Sequence, residues 1–282
     1  MPAGLRSLVF FGAFAFGALW GSFLNVVIVR VPRGESIVFP GSHCVVCKKR
    51  IRPWDNVPIL SWLWLWGRCR DCGARISPRY AIVEVLGGLF GVAVVAAFGP
   101  SVAALGFFVF LALLLAIAAI DLEHWIIPHE LSWPGIALGL AFSPMNPRTG
   151  PLEAALGAAI AWAVFTLLSF IGEKIFKKEA LGLGDRWLLA MEGAFLGLPA
   201  LLPIVFLASF QGSIVGLALI AAGRSQTGEP AAGAEADGEA WAPPKNALPF
   251  GPFLALAGIE ILFFGPWLVR SYSSWVAHWV AR

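Results

Sequence analysis

Between Arg6 and Arg30 the chain carries no charged residue, and from Val85 to Ile120 it carries none again. An apolar stretch of about 18 residues or more can cross a bilayer only as a helix, because lipid offers no partners for an unpaired backbone. The run from Leu8 to Val29 is too long for the apolar part of a signal peptide and has no small-residue cleavage site after it, so it is expected to be a retained spanning helix. The second run has length for two spans, and Gly99-Pro100 divides it where a turn is needed. Further spans are expected near 127–143, 153–172, 186–198, 200–222 and 248–269. The reading is an all-α polytopic membrane protein of about eight transmembrane helices. Composition agrees: 59% of the 282 residues are hydrophobic and 13% charged, against about a quarter charged in ordinary soluble domains. Thirteen Trp and 22 Phe against 2 Tyr suit a chain that meets lipid tails and headgroups. The net charge of +3 is too small to suggest a nucleic acid partner.

Basic loops stay cytoplasmic, so the distribution of Lys and Arg tests the span count independently of hydropathy. With the N-terminus outside and eight crossings, residues 30–79 hold ten of them, and Lys174, Lys177, Lys178, Arg186, Arg224 and Lys245 also fall inside. Arg6, Arg148, Arg270 and Arg282 fall outside. The expected organisation is a first transmembrane helix at 1–29 and a basic cytoplasmic domain at 30–79. A multi-helix membrane domain follows at 80–270, then a periplasmic tail at 271–282. The Ala-, Gly- and Glu-rich segment 225–244 is expected to be a disordered cytoplasmic insert.

All four cysteines lie in the basic domain, as Cys44-x-x-Cys47 and Cys69-x-x-Cys72. Two such pairs point to a closed tetrahedral zinc site, with Lys48, Lys49, Arg50, Arg68 and Arg70 lowering the cost of thiolate charge. Two disulfides or a redox pair is the alternative, disfavoured in a reducing cytoplasm. A domain of about 50 residues with few aliphatic runs cannot bury much core, so a structural metal would supply much of its folding free energy. His43 adjoins the first pair, but four sulfurs are expected to suffice. The segment Trp54–Trp66 reads as a surface helix or strand on the membrane face.

Acids at membrane depth are costly unless paired or hydrated, so Glu84, Asp121, Glu123, Asp185, Glu192 and Glu260 each require a role. Asp121 closes a long apolar run. Asp185 follows Gly182-x-Gly184, where two residues without side chains admit a close backbone or a peptide. The eight-span parity puts both aspartates on the cytoplasmic side, and they are the favoured catalytic pair. Glu192 lies seven residues after Asp185 and shares its helix face, as a support, a pairing partner or part of a polar lumen. Glu84 opens the second span and has two readings, an ion pair with a residue such as Arg79 or a direct supporting role. Asn25 is expected to make an interhelical hydrogen bond. His124 and His129 lie within sequence reach of Asp121 but read as solvated interfacial residues.

Taken in order, these residues resemble the type IV prepilin peptidases, membrane aspartyl proteases of the GxGD group. The resemblance rests on Gly21-Ser22-Phe23-Leu24-Asn25-Val26-Val27 and on the Cys44–Cys72 frame enclosing Asp55-Asn56-Val57-Pro58 and Ser61-Trp62. It continues through Ile76-Ser77-Pro78-Arg79-Tyr80, Glu84, Ile120-Asp121, Gly182-Leu183-Gly184-Asp185 and Pro249-Phe250-Gly251-Pro252-Phe253. It implies an inner-membrane enzyme that cleaves the basic leader from prepilins or pseudopilins after a glycine on the cytoplasmic face. It implies Asp121 and Asp185 as the catalytic aspartates, the four cysteines as zinc ligands, and S-adenosylmethionine as methyl donor for the new N-terminus. No binding residue for that donor is legible: the chain has no glycine-rich strand-to-helix turn. The chain departs from the family pattern at Arg186-Trp187, where a lysine commonly stands two residues after the aspartate, and at Pro128-His129, where proline-aspartate is usual.

Two carboxylates held close in a shielded site share one proton, the ionised one activating water and its protonated partner donating to the carbonyl oxygen. A proton-coupled transporter would also place acids in the membrane, but it is expected to show an internal repeat, and none is seen. A non-catalytic assembly platform with a zinc module would leave the glycines before Asp185 without a reason.

Overall fold

In the computed structural model the described residues are 2–176, 182–222 and 248–280, and helix dominates throughout. Among the described residues nine α-helices follow one another: α1 (Ala3–Arg30), α2 (Leu60–Trp64), α3 (Pro78–Phe98), α4 (Val102–His124), α5 (His129–Phe142), α6 (Pro151–Phe176), α7 (Asp185–Leu196), α8 (Leu198–Ala221) and α9 (Gly251–Val280). Six of them, α1, α3, α4, α6, α8 and the 251–268 part of α9, are long and apolar enough to cross a membrane. The expected spans near 127–143 and 186–198 are the helices α5 and α7, of 14 and 12 residues. At 1.5 Å per residue they are about 21 and 18 Å long, short of a hydrocarbon core of about 30 Å. The expected insert at 225–244 lies outside the described residues, and α9 continues as helix through the segment expected as a tail as far as Val280.

The chain divides into two compact units, residues 1–120 and 121–282. In the first, α1 and α3 pack antiparallel along a seam of small residues. A methyl group on Gly21 would lie 2.8 Å from the Glu84 Cα, one on Gly87 would lie 2.5 Å from the Gly17 carbonyl, and one on Gly91 would strike the Ala13 carbonyl. Backbones this close gain dispersion and weak polar contacts that larger side chains would prevent. Asn25 makes the expected interhelical bond, its Nδ2 donating to the Tyr80 carbonyl at 3.0 Å. Phe16 and Trp20 of α1 meet Phe108 of α4 at ring-centroid distances of 5.3 and 6.3 Å.

In the second unit α7 is the central element. Every residue from Leu188 to Leu196 is buried, and α5, α6, α8 and α9 pack around it. Gly157 of α6 and Gly193 of α7 touch backbone to backbone, a methyl on Gly193 lying 2.6 Å from the Gly157 carbonyl carbon. One end of the unit collects Asp121, Ile127, Gly184 and Gly251. At the other, Asn146 Nδ2 donates to the Phe195 carbonyl at 2.7 Å, Arg148 Nη2 donates to the Leu262 carbonyl at 3.1 Å, and Thr149 lies against Gly197. The short helices α5 and α7 therefore run from one end of this unit to the other, as their longer neighbours do.

Candidate functional site

Asp121 enters the site from the last turns of α4, and Asp185 from the first residue of α7. Both are buried, at 5% and 6% exposure, and Ile127 packs against Gly184 beside Asp185 and against Gly251 beside Asp121. What brings them together is a set of contacts around Ile127, in the connection between α4 and α5. A methyl on Gly184 would lie 2.6 Å from the Ile127 Cβ, and one on Gly251 would lie 3.1 Å from its Cδ1. The Gly251 N–H donates to Asp121 Oδ2 at 3.0 Å. Gly182 and Gly184 form the turn before α7: the Asp185 N–H donates to the Gly182 carbonyl at 3.1 Å, and a methyl on Gly182 would lie 2.9 Å from Asp185 Oδ2. What approaches the glycines here is side chain, the Asp185 carboxyl at Gly182 and Ile127 at Gly184, rather than the backbone or peptide expected from the sequence.

Ile127 and Gly251 were not read as site residues from the sequence. Gly251 lies 130 positions from Asp121, so its contact has no local signature beyond a glycine between two prolines ahead of the last apolar run. His129 is exposed, as expected of a solvated interfacial residue, but its ring is not alone. It stacks on Trp133 at 5.5 Å, and Trp187, at the position where lysine was expected, packs edge-on to Trp133 at 5.4 Å. Glu192 shares the Asp185 face of α7 and is wholly buried. Glu260 accepts a hydrogen bond from Gln211 Nε2 at 2.6 Å.

The first unit holds the second candidate centre. The Sγ atoms of Cys44, Cys47, Cys69 and Cys72 all lie within 4.8 Å of one another, and His43 is not among them. Its Nδ1 faces the Gly41 carbonyl instead. No cysteine is in a disulfide. The Cys44–Cys72 sulfur separation of 3.8 Å matches the edge of a tetrahedron with zinc–sulfur arms of about 2.3 Å, which is about 3.8 Å. The two pairs fold alike. Each first cysteine accepts an N–H four residues on, from Lys48 and from Gly73, and both donors are at positive φ. An antiparallel bridge closes each loop, His43 to Arg50 and Arg68 to Arg75. The Cys47 N–H, followed by that of Val46, draws the Cys44 thiol down to about 6 against the cost of burial. Cys72, although the Ala74 N–H lowers it, is pushed up to about 11 by burial and the sulfurs of Cys69, Cys47 and Cys44. Four sulfurs this close cannot all ionise without a cation among them, so the donor set fits a divalent soft metal.

Around this centre the Arg70 guanidinium grips Asp55 with both oxygens engaged, at 2.8 Å to Oδ2 and 2.6 Å to Oδ1. That contact holds the Asp55 carboxyl below the usual range. The Trp54–Trp66 segment is a 3-10 turn at Pro53–Asn56 followed by the short helix α2. Glu84 is buried and its Oε2 accepts the N–H of Ile59 at 2.6 Å, while Arg79 lies over the Tyr80 ring. Glu84 therefore ties the loop before α2 to α3.

Known protein families match both parts of the chain. The model of the Bacterial Peptidase A24 N-terminal domain matches residues 15–98, and that of the Type IV leader peptidase family matches residues 108–217. A prepilin leader peptidase/N-methyltransferase of Myxococcus xanthus is 39% identical, with 91% of this chain and 90% of that protein aligned. Proteins of the same name from Aeromonas hydrophila, 33% identical with 95% of each chain aligned, and Burkholderia pseudomallei, 34% identical over 94% and 87%, are also similar. No solved structure matches. With relatives aligned along nearly its whole length and both parts of the chain matched by family models, the protein belongs to the type IV leader peptidase family.

Proposed function

We propose that this chain is a membrane aspartyl endopeptidase that removes the basic leader from type IV prepilins or type II secretion pseudopilins after a glycine, and then methylates the exposed N-terminus. The observation that carries the reading is the meeting of Asp121 and Asp185, both buried, on glycine-lined backbone at one end of the second unit. The names of the aligned relatives supply the substrate class and the transfer reaction.

In the mechanism the two aspartates hold one proton between them. The Gly251 N–H on Asp121 suits the ionised partner, which makes Asp121 the base and Asp185 the acid. Asp121 takes a proton from water as its oxygen bonds to the scissile carbonyl carbon, and Asp185 passes its proton to the carbonyl oxygen. Collapse of the resulting diol breaks the carbon–nitrogen bond: the amine leaves with the proton held by Asp121, and Asp185 recovers one from the diol hydroxyl. Gly182, with no side chain, leaves the Asp185 carboxyl uncovered on its side, while Gly184 makes room for Ile127.

In this reading the chain crosses the inner membrane eight times. The short helix α7 crosses within a bundle whose neighbours cover it, α5 packs against it with its other face exposed, and the end-to-end course of both through the second unit supports the count. The N-terminus is then periplasmic, and both the aspartates and residues 30–79 face the cytoplasm. Cys44, Cys47, Cys69 and Cys72 would hold zinc, which supplies structural cross-linking of the two loops. S-adenosylmethionine is the methyl donor that the relatives' name implies.

The test is mass spectrometry of a prepilin coexpressed with the enzyme, which reads the cleavage position and the methyl mass together. Asp121→Asn and Asp185→Asn are each expected to abolish cleavage with the protein still present in membranes. Substantial cleavage by either variant would remove the pair from the mechanism.

A further inference from the structure

Among the described residues of the second unit, Glu192 is the most deeply buried acid. It has no exposed surface, and neither carboxyl oxygen has a hydrogen-bond partner among the described residues. Glu260 in the same unit shows the ordinary solution, a hydrogen bond from Gln211. A carboxyl left in this condition by apolar packing alone costs stability and returns nothing, so a retained one calls for a reason in function.

Its position supplies one. Seven residues separate Glu192 from Asp185, which on an α-helix is two turns along one stripe and about 10 Å of axial distance. Side chains lean toward the helix N-terminus, so the Glu192 carboxyl is directed back toward Asp185 rather than away from it. Leu188 and Leu189, both buried, flank this stripe on either side. At that axial spacing a short chain of internal waters can link the two carboxyls, and two unpartnered carboxyl oxygens are the polar wall such waters need.

We infer that Glu192 is a positioning residue for the cleavage reaction, a neutral carboxylic acid that exchanges a proton with Asp185 through internal water and so keeps Asp185 in its donating form. The inference rests on the protease reading of Asp121 and Asp185. Few other groups compete for the role among the described residues. On α5, His129 and Glu130 are exposed, and on α6, Glu153, Glu173 and Lys174 are exposed at its two ends. The sequence of α8 has no charged residue, and on α9 Glu260 is engaged by Gln211.

Glu192→Gln keeps size and hydrogen bonding but cannot release a proton, whereas Glu192→Leu removes the polar group. In purified full-length enzyme acting on a prepilin, both are expected to lower kcat about tenfold or more with KM unchanged, and Gln is expected to shift the pH profile of kcat. The infrared spectrum of wild type minus Glu192→Gln should show the carbonyl band of a protonated carboxylic acid. Leu is expected to raise Tm while activity falls, because it relieves an unpartnered buried acid. If Glu192→Gln matches wild type in kcat and pH profile, the inference is overturned. It is also overturned if Leu lowers Tm and activity together, as a packing residue would. Asp185→Asn run beside them separates the two readings: an active Asp185→Asn defeats the protease pair, and an inactive one with wild-type Glu192 variants defeats only this inference.

Discussion

Replacing Gly251 by alanine tests the site through a single methyl group. The new Cβ would lie 2.6 Å from Asp121 Oδ2 and 3.2 Å from its Cγ, whereas comfortable carbon–oxygen contact requires about 3.3 Å. Oδ2 must therefore retreat by about 0.7 Å, and Ile127 Cδ1, 3.1 Å from the same methyl, blocks an easy shift of the helix start instead. That retreat stretches the 3.0 Å bond from the Gly251 N–H to about 3.7 Å, beyond hydrogen-bonding distance. A lost bond to a charged acceptor is worth about 1.5–3 kcal/mol, which if felt only in the transition state corresponds to a fall of about 10- to 150-fold in kcat. The expected result for Gly251→Ala is that fall, with KM near wild type, measured by mass spectrometry of prepilin cleaved by purified enzyme. Gly216→Ala on α8 is the control: its methyl would meet only Leu248 Cδ1 at 3.7 Å, an ordinary contact, so activity should stay at wild type. Wild-type kcat in Gly251→Ala would refute the argument that this N–H positions Asp121.

The zinc module offers two further tests. Cys44→Ser, or treatment with a strong chelator, should unfold residues 30–77, seen as rapid limited proteolysis confined to that segment, while the spanning helices remain protected. Methylation is expected to fail with it, and retained cleavage would tie the module to transfer alone. Asp55 has its folded-state carboxyl held low by Arg70, so its contribution to the module is present above the ordinary aspartate range near pH 4 and is lost as pH falls through the lower folded value. Asp55→Asn should therefore flatten the acid limb of the module's protease resistance between about pH 4 and pH 2.

Much of this architecture is written in local pattern. The uncharged runs at 7–29 and 85–120 give α1, α3 and α4 because helix is the only open-chain form that satisfies its backbone in lipid. The four cysteines converge as their spacing implies, since each C-x-x-C loop closes on its own N–H donors. The short helices were harder to read. α5 contains Pro134 and α7 begins with three polar or aromatic residues, Asp185, Arg186 and Trp187, so neither presents a long apolar window. The partners of the aspartates were not legible at all. Ile127 and Gly251 act through contacts made only when separated helices pack, and nothing in an isoleucine after Trp125-Ile126 signals a wedge against two glycines. The spacing of Glu192 from Asp185 was readable, but its lack of a partner is a property of the packed core.

The antiparallel seam of α1 and α3 has a consequence for how this protein can be dissected. Because Gly21 lies against Glu84 and Asn25 against Tyr80, the helix ends at Arg30 and Pro78 emerge side by side, at about the 8–10 Å spacing of packed helices. The cysteine-bearing segment is therefore a cassette set into a helical hairpin whose two stems are already joined without it. A short Gly-Ser turn can replace residues 31–77 at little cost in loop closure. Such a minimal chain lets the metal-bearing part and the membrane part be supplied, varied and recombined as separate pieces.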